Sequence, residues 1–119
     1  MRTKHDFSIT QQTTETISLE IVDSAGVPRS LAGLDFKLDC RQQPNAPEPF
    51  FTMSSADGTI QLDHVHNHKI WLHFGHDMTK QLSFDKGVYD LLAYLPDKSS
   101  VEILMQGQVT LNKTVTKLD

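Results

Sequence analysis

The stretch from Thr16 to Arg41, TISLEIVDSAGVPRSLAGLDFKLDCR, restricts the fold more than any other part of the chain. Ile17, Leu19 and Ile21 alternate with Ser18 and Glu20, and Phe36, Leu38 and Cys40 alternate with Asp35, Lys37, Asp39 and Arg41. A period of two puts successive side chains on opposite faces of an extended chain, so each run reads as a half-buried strand. Asp23-Ser24-Ala25-Gly26 between them reads as a turn, because Asp bonds its own backbone and Gly supplies positive φ. Pro28 has no N–H to give a sheet and marks a connection or an edge. Leu31-Ala32-Gly33 reads as a second corner.

The same grammar continues on both sides. Phe7 to Gln11 is a short first edge strand. Gln42 to Pro49, QQPNAPEP, reads as a stiff, extended and exposed loop, since Pro44, Pro47 and Pro49 fall so close together. Phe50 to Met53 and Thr59 to Asp63 flank an Asp57-Gly58 hairpin signal. Lys69 to Phe74 carries Ile70, Leu72 and Phe74 on one face and Trp71 and His73 on the other. Gly75 to Ser83, around HDMTKQL, is the one helical candidate, a single turn that Asp77 would cap. Gly87 to Leu95 places Tyr89, Leu91, Ala93 and Leu95 inward. Val101 to Leu111 places Val101, Ile103 and Met105 inward, with a kink or bulge expected at Gly107 and Val109 and Leu111 continuing. The tail NKTVTKLD reads as polar and peripheral. About seven or eight short strands, with turns roughly every ten residues, are the signature of an antiparallel sandwich or barrel.

Composition narrows the function. A chain of 119 residues is one domain, 1–119, large enough to bury a core without staples. A net charge of −4 argues against electrostatic binding to nucleic acid. With one cysteine, Cys40, an intrachain disulfide is impossible. Cys40 stands at an inward position and reads as a small buried hydrophobe rather than a catalytic thiol. The opening MRTKHDF has no apolar run of the secretory kind, and no window is apolar for long enough to cross a bilayer. Synthesis in the cytoplasm and no membrane partner are therefore expected.

Few residues suggest chemistry. His64, His66 and His68 share parity, and on an extended strand they would form a row able to hold Zn, Ni or Cu. If HVHNH is instead a loop between strands, that row does not exist. Trp71 and Tyr94 are candidates for an interface or, less simply, for stacking on a sugar. Pro44, Pro47 and Pro49 are candidates for a contact arm. There is no nucleophile elbow, phosphate-cradling loop or Cys/His zinc spacing, so no catalytic residue and no cofactor is expected.

Taken in order, these pieces resemble a family of small β-sandwich proteins of tailed bacteriophages and prophages, including the N-terminal domain of baseplate upper and fibre-anchoring proteins. The residues that carry the resemblance are Phe7-Ser8-Ile9 with Gln11; Thr16 to Val22 with the D-x-x-G-x-P turn Asp23 to Pro28; and the corner Ser30 to Leu34. They continue with Phe36 to Arg41, Asp57 to Ile60, Lys69 to Leu72, His76 to Leu82, Gly87-Val88-Tyr89, and Leu104 to Val109. Ser30 stands where the family usually has Asp, and HVHNH is richer in His than the usual turn. The resemblance implies an immunoglobulin-like sandwich with one short helical turn. It implies a virion part (tail, baseplate, neck or fibre attachment) that is not an enzyme and works as a homo-oligomer among other virion proteins. A capsid decoration protein is the near alternative; a His-based metal-binding module and a carbohydrate-binding module are more distant ones.

Overall fold

The computed structural model describes residues 3–116. The strands, in chain order, are β1 (Thr3–Lys4), β2 (Phe7–Thr10), β3 (Glu15–Glu20), β4 (Asp35–Arg41), β5 (Phe51–Ser54), β6 (Ile60–Leu62), β7 (Lys69–Phe74), β8 (Lys86–Tyr94) and β9 (Val101–Asn112), with one turn of helix, α1 (His76–Thr79), between β7 and β8. They form two sheets, one ordered β1-β9-β8-β4-β5 with β2 also on β9, the other β3-β7-β6. The expected all-β sandwich is what the chain forms.

Alternation drives this arrangement. The inward sets Phe36, Leu38, Cys40 from β4 and Tyr89, Leu91, Ala93 from β8 are buried, and they meet Leu19, Ile60, Ile70, Leu72 and Phe74 from the facing sheet in one apolar cluster. In β4 and β8 the buried residues alternate, so a one-residue slip would turn either strand's apolar set to solvent. The turn at Asp23 forms as the residue types dictate. Its Oδ1 accepts the amides of Ala25 at 2.9 Å and Val27 at 3.0 Å. Gly26 supplies the left-handed step at φ 82°.

Several finer expectations are corrected. The first and last strands pair in parallel, Phe7 with Val109 through Thr10 with Asn112. No tight turn joins such distant segments, so nothing imposes the antiparallel sense. The bulge in β9 falls at Leu104, not Gly107. Leu91 pairs with Met105 and Leu92 with Ile103, leaving Leu104 as the extra residue. Leu104 and Met105 are therefore both buried, while Val101, expected inward, is 56% exposed and Ile103 faces outward. Leu95 lies past the end of β8 and is 38% exposed. The proline-rich segment is not extended. Ala46 N–H bonds Gln43 O at 3.0 Å in a turn, and Arg41 Nη1 holds Ala46 O at 2.9 Å. Gly75, not Asp77, stands at the N-cap of α1, and no side chain caps it. Residues 117–119 of the tail lie outside the described residues.

Candidate functional site

The sandwich turns two faces to solvent, and the sequence-selected aromatics divide between them. Trp71 projects from β7 on the outside of the three-stranded sheet, opposite Ser18 of β3 and Gln61 of β6. Its indole N–H donates to Asp63 Oδ2 at 2.8 Å, and the Lys69 ammonium lies 4.6 Å from the ring centroid. Tyr94 projects from β8 on the outside of the larger sheet, opposite Asp35 and Val101. The two rings therefore share no platform, and a flat sugar cannot stack on both.

Asp63 also explains the histidines. Its Oδ1 accepts the amides of Val65 and His66, each at 2.8 Å. This folds residues 63–66 back on themselves, so HVHNH is a loop, and His64, His66 and His68 do not line one strand face. The His66 and His68 rings sit 5.8 Å apart, His64 turns toward Gln61, and His68 Nε2 lies 3.9 Å from Glu20. His73 is engaged elsewhere, by Gln61 Oε1 at 3.0 Å. Among the described residues no group of three His, Cys, Asp or Glu side chains is placed to hold a metal ion. The three hydrogen bonds hold the Asp63 carboxyl far below the usual range, those from the His66 amide and the Trp71 indole being the strongest.

On the larger sheet an apolar strip interrupts the polar outer face. Leu92 of β8 faces Ile103 of β9, and Tyr94 faces Val101. Leu92, Tyr94 and Ile103 are half-buried and Val101 is exposed. An antiparallel sheet whose outer face met only water would carry polar residues there. The parity of β9 inverts across the Leu104 bulge, so the preceding Ile103 and Val101 come to this face, which is why the alternation alone hid the strip.

Further along the same face an open cleft of about 710 Å³ is bounded by Lys4, Asp6, Asp39, Arg41, Pro44 and Asp90, among others. Pro44 is the one of the three loop prolines that reaches it; Pro47 and Pro49 are exposed beyond. Asp39 is fully engaged, by Arg41 Nη2 at 2.9 Å and Thr52 Oγ1 at 2.9 Å. Asp90 lies directly across the strands from Asp39. Burial, and then the Asp39 charge, raise its carboxyl above the usual range, with Arg41 opposing.

The floor of the cleft holds a pairing that the sequence reading passed over. Tyr89 is a core residue, 4% exposed, yet its hydroxyl donates to His5 O at 2.5 Å. Gly107 lies across from Tyr89, and any Cβ there would collide with the His5 carbonyl. The findable signal was a tyrosine at an inward position, since a buried phenol needs an acceptor.

The strand order now defines the class. One sheet runs β3-β7-β6 and the other β9-β8-β4-β5, with the N-terminal strand on β9, which is an immunoglobulin-like sandwich. The inter-sheet disulfide of antibody domains is missing: Cys40 is free and buried. No family model and no curated protein matches the chain. Among solved structures it is similar to a marsupial T cell receptor, with a TM-score of 0.52 and 13% identity, over 94% of this chain and 52% of that one. The chain thus spans about half the length of that receptor chain, and the likeness is one of fold.

Proposed function

We propose that this domain is a structural protein of a tailed-phage or prophage virion, a tail, baseplate, neck or fibre-attachment component that works through protein–protein contacts and catalyses no reaction. The observation that carries the reading is the apolar strip Leu92, Tyr94, Val101 and Ile103 on an outer sheet face. Aromatic and branched apolar groups ringed by charge, here Asp35 and Lys37, have the make-up of an interface centre. The ordered motifs from Phe7 to Val109 supply the phage assignment, by resemblance. The partner on the strip is another virion protein.

The test is to purify particles released by the host that encodes the chain and to quantify the chain in them. Multiple copies per particle are expected. A Tyr94→Ser, Ile103→Ser double variant that folds normally is expected to drop out of the particles. Particles devoid of the wild-type chain would overturn the reading.

A further inference from the structure

Sheet edges expose backbone donors and acceptors, and proteins normally blunt them. Three of the four edges here are blunted. In β5 the Ser54 amide is taken by Thr59 Oγ1 at 2.9 Å. β6 has only three residues. In β2 the Thr10 amide donates to Glu15 Oε1 at 3.1 Å, and its carbonyl accepts the Thr13 hydroxyl at 2.8 Å.

The fourth edge, β3, is the exception. Ile21 N–H bonds His68 O at 2.8 Å. On the far side of β7, His73 N–H bonds Thr59 O and Asp63 N–H bonds Lys69 O. With the β3–β7 register, this phase directs the backbone groups of Glu15, Ile17 and Leu19 toward β7 and those of Thr16, Ser18 and Glu20 away from it. The strand that carries this outward set is six residues long and has no Pro, Lys or bulge. In an antibody-type sandwich a first strand would cover this edge. Here the N-terminal strands pair with β9 instead, and among the described residues no strand covers the edge of β3. Beside it Ile17 points inward yet is only partly buried.

We infer that β3 pairs antiparallel with β3 of a second copy of this chain, about a two-fold axis at Ser18, joining two three-stranded sheets into one. The edge is self-complementary in that register. Ser18 meets Ser18, Thr16 meets Glu20 and Glu20 meets Thr16, so all outward groups find partners in about six hydrogen bonds. Ile17 comes to lie against Leu19 of the second copy. An axis at Glu20 would oppose like charges, and an axis at Thr16 would run past the strand's end. The inference deepens the assembly reading but fails separately from it, because it uses a different surface from the Tyr94 strip.

The experiment is sedimentation equilibrium of the full chain from micromolar to millimolar concentration. A dimer is expected for the wild type. Ser18→Pro removes an amide that the folded chain does not use, so it should weaken dimerisation at least tenfold with unchanged circular dichroism. Should that variant fail to fold, Ser18→Lys serves the same purpose. A Ser18→Cys variant, whose native Cys40 is buried, should cross-link as a dimer under mild oxidation, and a Thr52→Cys control on β5 should not. A wild type that stays monomeric throughout overturns the inference. So does a dimer indifferent to Ser18→Pro and Ser18→Lys, or cross-linking no greater at Ser18 than at Thr52. Capture of an extended segment from a different protein at β3, with no self-association, also overturns it.

Discussion

The hydroxyl of Tyr89 donates to the carbonyl of His5 at 2.5 Å, across a gap that only a glycine at position 107 leaves open. This contact ties the N-terminal edge to the middle of the larger sheet. β1 is two residues long and pairs with β9 in parallel, an intrinsically small attachment. The His5 N–H donating to Gln106 O at 2.9 Å and the Gln108 N–H donating to Asp6 Oδ1 at 2.8 Å complete it. Burial, with the nearby Asp6 charge, pushes the Tyr89 phenol well above its usual range, so it stays a donor at all ordinary pH. Tyr89→Phe should cost about 1 kcal/mol, read as a fall in Tm of roughly 3–6 °C. Gly107→Ala should cost more, because the new methyl must displace the His5 backbone. In both variants hydrogen exchange should quicken in residues 4–8 and stay unchanged across the β4–β8 pair.

Asp63 organises the histidine loop and pins the only tryptophan. Trp71 emission therefore reports on it directly. Asp63→Ala should shift the emission to the red and raise its quenching by iodide, with Asp63→Asn in between, since an amide oxygen still accepts one set of bonds. The folded state holds this carboxyl below its ordinary value of 3.8. The stabilisation is thus present above pH 3.8 and is lost only as pH falls through the depressed value. Wild-type Trp71 emission should stay constant through the ordinary carboxylate range and change only in stronger acid.

How far the sequence could lead depended on which interactions were local. The turn at Asp23–Gly26 was legible because its carboxylate bonds amides two and four residues away. Inward positions on β4 and β8 were legible because alternation is a backbone property. The bulge at Leu104 was not, since it is set by pairing with Leu91 and Leu92, remote in the chain. The apolar strip at Tyr94 stayed hidden with it. Nor could alternation show that Trp71 and Tyr94 belong to different sheets, which is a matter of strand order. The Pro44 loop misled for a similar reason: proline favours extended backbone, but the Arg41 bond to Ala46 O closes a turn around it.

Cys40 should behave as a core atom rather than a reagent. It is fully buried between β5 and β8, and burial pushes its thiol up to about 12. Its modification by a disulfide reagent at pH 8 should proceed only through unfolding and match the unfolding rate found with denaturant. Rapid labelling of the native protein would mean that β5 opens locally. Cys40→Ala should lower stability by about 1 kcal/mol through lost packing, and Cys40→Ser by more, because a hydroxyl would be buried there without a designed partner.

The carboxylates of Asp39 and Asp90 stand directly across β4 and β8 on the outer face, an arrangement that destabilises a sheet when both are charged. Asp39 offsets this through Arg41 and Thr52. Asp90 does not, and its carboxyl is raised above the ordinary 3.8 by burial first and Asp39 second. The folded chain therefore holds the Asp90 proton more tightly than the unfolded chain. The penalty is absent below pH 3.8, grows as pH rises through the raised value, and is complete at neutrality. Asp90→Asn should raise Tm at pH 7 by a degree or two, on the scale of about 0.5 kcal/mol after solvent screening. Below pH 3.8 the two proteins should melt together. Asp39→Asn removes the same repulsion yet should lower Tm at pH 7, because the charged bond to Arg41 is lost with it. A shared rise in both variants would mean that Arg41 contributes nothing to holding Asp39.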